Sequence, residues 1–211
     1  MVRKSVYARD DVIAAGLAVL EKDGAGQFSA RRVAEELGAS TAPVYSNFAN
    51  MDELTVAVNE AVVDMMLSLM LEKHTDDPFL NMGVGVLEFA RRRPRLYGAV
   101  FLHAAEDCVA GEKVQATLLE RMEVLPVLDQ LMPVERILVL NKLSIFTHGL
   151  ATMICSGAAQ GFPFDAMVAL LSEVGHAILT DALAASPRAA ADLALLGPLC
   201  EAPHPSQTDE E

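Results

Sequence analysis

Between Ser29 and Phe48 the small residues are spaced so tightly that few backbone arrangements satisfy them: Ala34, Gly38 four residues later, and Val44 six residues beyond Gly38. "ARRVAEEL" (Ala30 to Leu37) reads as a helix with Ser29 as its N-cap, and Gly38 ends it. Ser40 is a second N-cap candidate, and Pro43 falls at about the third position of the helix that follows. First-turn N–H groups have no intrahelical acceptor, so a proline there breaks nothing. With only about three residues between them, the two helices cross steeply. Ala34 then sits at the close approach, Gly38 takes a positive φ, and Val44 packs back with Val33 and Leu37 as a miniature core. A larger side chain at 34, or a β-branched one at 38, is predicted to break the crossing. In a helix-turn-helix of this kind the second helix enters the DNA major groove.

The rest of the chain also reads as helix. "DDVIAAGLAVLEKDG" puts Ile13, Leu17 and Leu20 on one face and stops at Gly24 or Gly26. Asp52 is a candidate cap for a long helix to about Lys73, with Leu54, Val58, Ala61, Met65 and Leu69 at helical spacing. Further helices are predicted over Pro78 to Arg93, Pro94 to about Ala105, about Lys113 to Leu131 with a kink at Pro126, Glu135 to Gln160, and Phe164 to Ala185. No segment alternates convincingly enough for a strand, so the fold class is all-α. The expected division is a helix-turn-helix DNA-binding domain over 6–52, a larger helical domain over 53–186, and a tail over 187–211. The last ten or so residues of that tail are expected to be disordered. Leu143 to Ala159 is strongly apolar but carries Thr147, His148, Thr152 and Ser156, which suits a buried helix better than a membrane span.

The chain's net charge of −13 argues at first against a polyanionic partner. Its distribution does not. Residues 1–50 hold six basic and six acidic side chains, so the whole excess falls on 51–211. Cys108, Cys155 and Cys200 show no metal or redox spacing, and no secretory signal is evident at the N-terminus. Both features suit a reducing cytoplasm.

Here a resemblance becomes specific. "FSARRVAEELGASTAPVYSNFANMDEL" resembles the DNA-binding signature of the TetR family of transcriptional regulators. The matching positions are Ser29, Val33-Ala34, Leu37-Gly38-Ala39-Ser40, Val44-Tyr45, Phe48 and Asp52-Glu53-Leu54, and the match covers roughly 8–60. Ile13, Ala15 and Gly24 in the preceding helix fit the same pattern. The resemblance implies a dimeric regulator that binds a near-palindromic double-stranded DNA operator and is released by a small molecule. No cofactor is predicted.

Members often carry His at the position of Asn47 and Lys at that of Met51, the lysine contacting phosphate. Met51 has no charge to offer, so phosphate contact there would fall to backbone N–H groups around Asn50 to Glu53. Arg3, Lys4, Arg31 and Arg32 are the candidate sources of the missing charge, each phosphate contact adding about one unit of salt-dependence slope. On the recognition helix the expected DNA-facing set is Thr41, Ala42, Pro43, Ser46 and Asn47. Thr41 or Ala42 would meet a thymine methyl, and Asn47 an adenine if it points into the groove. Tyr45 matches the family tyrosine whose hydroxyl contacts phosphate, with a core aromatic as the alternative. Ser29 is a cap that can add a phosphate contact, Arg31 and Arg32 are phosphate contacts or a solvated face, and Phe48 is core.

In the second half, "LEFARRRPRLYGAVF" (Leu87 to Phe101) is similar to the family's Arg-Pro-x-Leu-Tyr segment. "IFTHGLATMICSG" (Ile145 to Gly157) resembles a His-Gly element of one subgroup. Gly149, Ala151, Thr152, Ser156 and Gly157 thin one long helix, and Val168, Leu171, Val174, Gly175, Ile178 and Leu179 give the last a broad apolar stripe. A stripe that wide needs a second copy to cover it, which implies a four-helix interface. The family implies a ligand pocket, for an apolar or aromatic molecule. Its candidate lining is Met65, Met66, Leu69 and Met70, then Met82 and Phe89, Tyr97 and Phe101, and finally Met122, Phe146 and Met153. The adaptable thioethers suit such a cavity, with ordinary core packing as the alternative for each residue. His103, His148 and His176 are too scattered for a metal site. No nucleophile elbow, phosphate loop, HExxH or paired-carboxylate motif is present, so no catalytic residue and no enzyme is predicted. The rival reading is a helical dimeric ligand-binding protein without specific DNA binding.

Overall fold

The computed structural model describes residues 7–102, 113, 114, 116–118, 120 and 131–184. Arg3, Lys4, His103, Cys108, Met122, Pro126, Cys200 and the 187–211 tail lie outside the described residues, as does most of the helix predicted from Lys113. All regular structure among the described residues is helical.

Helix α1 spans Arg9–Asp23. Asp11 accepts from the Ala8 N–H at 2.7 Å, which satisfies a first-turn donor. Its buried stripe is Val12, Ala15, Gly16, Val19 and Leu20, while Ile13 and Leu17 are only partly buried. The predicted face is therefore rotated by about one residue. α2 (Ala30–Leu37) starts at Ser29, whose Oγ accepts from Arg32 N at 3.4 Å. It ends at Gly38, with φ 67° and ψ 31°. There the Ala39 N–H donates to Ala34 O at 2.9 Å and the Gly38 N–H to Glu35 O at 3.1 Å, the paired bonds of a left-handed helix end.

α3 is short, Ala42–Asn47, with Pro43 at its second position and not its third. Ser40 Oγ accepts from the Ala42 N–H at 3.4 Å. α4 runs Met51–Met70, and its cap is Asn50, whose Oδ1 accepts from Glu53 N at 2.8 Å; Asp52, predicted as the cap, lies inside the first turn. The fully buried residues of α4 include Val58, Val62, Met66 and Met70, whereas Ala61, Met65 and Leu69 are half-buried. The buried stripe thus runs one residue past Ala61, Met65 and Leu69, about 100° further round the helix.

α5 (Pro78–Arg92) is capped by Asp77, whose Oδ1 accepts from Phe79 N at 2.8 Å and Leu80 N at 3.3 Å. α6 (Pro94–Tyr97) continues as a wider π-helical turn over Gly98–Leu102, and the rest of the helix predicted to Ala105 lies outside the described residues. α7 (Pro133–Ser156), which ends at the left-handed Gly157 before the predicted Gln160, and α8 (Phe164–Ala184) complete the long helices among the described residues.

α1 packs on α2, α4 and α6, α4 lies along α5, and α5 packs on α7 and α8. The closest approach is at Gly85, where a Cβ would lie 2.4 Å from the Met70 Cα. One core runs unbroken from Val12 and Val44 through Val58 and Met70 to Leu87, Tyr97, Ala151 and Leu171. α4 crosses the expected boundary at 52–53 without interruption, so its first turns hold α1 and its later turns hold α5.

Candidate nucleic-acid interface and apolar cavity

α3 divides cleanly into two faces. Val44 and Phe48 are buried, at 0% and 2% exposure. Thr41, Ala42, Tyr45 and Ser46 are exposed on the other side, Tyr45 at 55%. Positions i, i+1, i+4 and i+5 form one stripe of a helix, so these four groups point outward together. The stripe is uncharged. Ser46 Oγ donates to Pro43 O at 3.0 Å, leaving its oxygen as the acceptor it can present. Pro43 is half-buried.

Asn47 is placed differently from the expectation that it reads adenine. Its Nδ2 donates to Tyr7 O at 3.2 Å and to Pro43 O at 2.9 Å. A bidentate adenine contact needs that same nitrogen as donor, so Asn47 ties α3 to the start of the chain. Tyr7 contributes again, its hydroxyl donating to Leu37 O at 3.1 Å. Arg9 was not singled out from the sequence as a site residue, yet it joins three elements. Its guanidinium donates to Asn47 O at 3.1 Å and Glu53 Oε1 at 2.9 Å, and stacks 4.1 Å from the Phe48 ring centroid. No local pattern signals these contacts, because the partners lie about forty residues away in the chain.

Arg31 and Arg32 are both ion-paired. Arg31 Nε donates to Glu35 Oε1 at 3.0 Å and remains largely exposed. Arg32 is held between Asp23 and Glu35, which raises its pKa further above its ordinary value, chiefly through the Asp23 hydrogen bond. At the start of α4, Met51 is half-buried against the core. Ala49 N is taken by Glu53 Oε2 at 2.8 Å and Glu53 N by Asn50, so two N–H groups near the expected phosphate position already have acceptors.

Arg93 and Arg95 reach back from α6 to the end of α1. Arg93 pairs with Glu21, and Arg95 donates to the carbonyls of Glu21 and Lys22. Helix carbonyls at a C-terminus lack partners, and a cation there also meets the negative end of the dipole. α6 therefore joins α1, and with it the helix-turn-helix, to the rest of the chain.

Between α4, α5, α7 and α8 lies a cavity of about 480 Å³. Of the predicted lining, Met66, Met70, Met82, Tyr97 and Phe101 face it. Met65, Leu69, Phe89, Phe146 and Met153 do not: Phe89 is 1% exposed in the core, Met153 is 40% exposed outside, and the others are half-buried on adjoining faces. Two residues expected between chains are buried within one: Ala151 at 0% and Leu171 at 4% exposure. Leu171, Gly175 and Leu179 line the cavity, so that edge of α8 turns inward. Of the other expected interface residues, Gly149 and Ser156 are exposed, and Thr152, Gly157, Val168, Val174 and Ile178 are half-buried. Tyr97 and His148 meet at the cavity wall, Tyr97 Oη lying 2.8 Å from His148 Nδ1. Burial pushes the Tyr97 pKa up and the His148 pKa down, so both are neutral near pH 7.

Residues 12–58 match the sequence model described as bacterial regulatory proteins, tetR family. No curated protein sequence matches the chain. The structure resembles that of a transcriptional regulator from Rhodococcus sp. Rha1, with 22% identity, a TM-score of 0.69, and coverage of 85% of this chain and 100% of that one. It also resembles a TetR variant from Acinetobacter baumannii AYE in complex with minocycline, at 17% identity and TM-score 0.57, covering 82% of this chain and 95% of that one. A third likeness is to BioQ with its double-stranded DNA operator, at 18% identity and TM-score 0.53, covering 80% and 98%. These likenesses show the fold: an N-terminal helix-turn-helix unit followed by a larger helical part.

Proposed function

We propose that this chain is a ligand-responsive transcriptional regulator of the TetR family, acting in the cytoplasm as a repressor. Residues 6–52 read DNA, 53–186 hold an effector and a second copy, and 187–211 form a tail. The observation that carries the reading is the two-faced α3, with Val44 and Phe48 fixed in the core and Thr41, Ala42, Tyr45 and Ser46 turned outward. An uncharged exposed stripe on a recognition helix suits base edges and groove methyls, with the Tyr45 hydroxyl left to reach a phosphate. The match over residues 12–58 and the likeness to a DNA-bound BioQ support the same assignment.

The cavity and the likeness to a minocycline-bound TetR variant support an effector site. Dimerisation is supported by α8, of whose most apolar stretch only 17% is buried, and by Ile145 and Met153, exposed at 51% and 40% on α7. A two-fold pair would set two α3 helices about one DNA turn apart. The effector would then act by preferring a dimer shape in which that spacing is lost.

The test is fluorescence anisotropy with DNA from upstream of the chain's own gene, at several salt concentrations, with scrambled DNA as competitor. Saturable, competitor-resistant binding at a multiple of two protomers is the expected result. Tyr45→Phe and Thr41→Ala should weaken it without changing dimerisation. One observation favours the second reading, a dimeric ligand-binding protein without specific DNA binding. α3 carries no charge, and Arg31 and Arg32 are already paired with acids. Equally weak binding to both DNAs would select that reading.

A further inference from the structure

The cavity's two sides differ in chemistry. α4 and α5 supply an apolar wall that includes Met66, Met70, Met82 and Val86. From α7, Asn141, Ser144 and His148 line the opposite side at i, i+3 and i+7, a polar seam about 10 Å long. No lysine or arginine is among the described lining residues. Among the described lining residues the only carboxylate is Asp77, already engaged as the cap of α5.

At one end of this seam is the Tyr97–His148 pair. Tyr97 is 2% exposed, and a buried hydroxyl hydrogen needs an acceptor. His148 Nδ1, 2.8 Å away, is that acceptor. An imidazole that accepts at Nδ1 while neutral carries its proton on Nε2, so His148 has an N–H donor left to offer. A charged guest would find, among the described lining residues, only the engaged Asp77 carboxylate and the imidazoles of His148 and His176 as partners. A pure hydrocarbon would cover the His148 N–H and leave it unmatched.

We infer that the cavity takes a neutral, mainly apolar carbonyl compound, its oxygen accepting from His148 and its hydrocarbon body against the methionine wall. The inference rests on the effector reading of this cavity and adds the ligand's chemical class. Four probes of one shape test it by equilibrium dialysis against the full chain: 2-acetylnaphthalene, 2-ethylnaphthalene, 2-naphthoate and 2-naphthylmethylammonium. The ketone should bind about fivefold more tightly than the hydrocarbon, as one hydrogen bond predicts, and both ions more weakly than either. His148→Phe should erase the ketone's advantage and leave the hydrocarbon's affinity unchanged, while His148→Gln, which keeps an N–H donor, should restore part of it. Equal binding of ketone and hydrocarbon, tightest binding of an ion, or binding of none of the four overturns the inference. So does an equal loss for both neutral probes in His148→Phe. DNA binding without any probe is read separately, so failure here is distinguishable from failure of the regulator reading.

Discussion

Replacing Gly85 by alanine tests the packing of α4 on α5, beside the cavity. A Cβ at this position would lie 2.4 Å from Met70 Cα, 2.5 Å from Met70 N and 2.6 Å from the Leu69 carbonyl carbon. Carbon atoms rest about 3.5–4.0 Å apart, so α4 and α5 must separate by about 1 Å. All three obstructing atoms are backbone, and no rotamer change relieves them. Overpacking of this kind costs about 3 kcal/mol, the upper end of its usual range. Alanine returns about 1 kcal/mol over glycine in helix propensity. The net loss is therefore about 2 kcal/mol, a fall in Tm of about 4–8 °C for a chain of this size. Urea denaturation and thermal melting followed by far-ultraviolet circular dichroism measure it. Gly83→Ala is the internal control, since its Cβ would meet only the Leu171 side chain, Cδ2 at 2.8 Å and Cδ1 and Cγ at 3.5 Å, and no backbone. Wild-type stability in Gly85→Ala, or a larger loss in Gly83→Ala, would refute the reasoning.

The remaining predictions concern the turn, an acid and a tie. At Gly38 a Cβ meets nothing within 4 Å, so substitution costs only backbone strain at φ 67°. Gly38→Ala should lose about 1–2 kcal/mol, Gly38→Val more and Gly38→Asn least, read by denaturation and by operator affinity. Glu88 accepts from Arg91 Nε and NH2 at 2.8 and 2.7 Å and from Arg92 Nε at 2.7 Å. These bonds, Arg91's above all, hold its pKa at about 2 in place of 4.5. A depressed folded pKa stabilises above the unfolded value and is lost on acidification through the folded one. Glu88→Gln should thus cost stability at pH 7 and progressively less from about 4.5 down to about 2, compared by denaturation across that range. Arg9→Ala removes an exposed ion pair and a cation–π contact, together worth about 1 kcal/mol, and operator affinity should fall further than stability does.

The helix-turn-helix was legible because its determinants act over four or five residues. Ser29 caps α2, Gly38 takes the left-handed conformation, Val44 is fully buried, and Pro43 sits in a first turn. The misplaced cap at Asp52 was a near miss of the same local kind, since Asn50 two residues earlier offers an equally suitable oxygen. The α1 stripe was harder, because alanine and glycine at 15 and 16 carry little hydrophobic signal yet mark where other helices come close. Gly16 is such a place, its absent Cβ lying 2.7 Å from Val58 Cγ2.

By itself the sequence determined helix content, the ends of most helices, the tight turn and the resemblance it carries. Each follows from capping, periodicity and backbone freedom among near neighbours. Only the tertiary structure decided that Asn47 ties down α3, that Arg9 joins three elements, that Leu171 faces inward, and that Tyr97 meets His148. Those contacts span about forty to fifty residues of chain or depend on a helix's rotation about its own axis. Every neighbouring helix sets that rotation at once, and no single stretch of sequence records it.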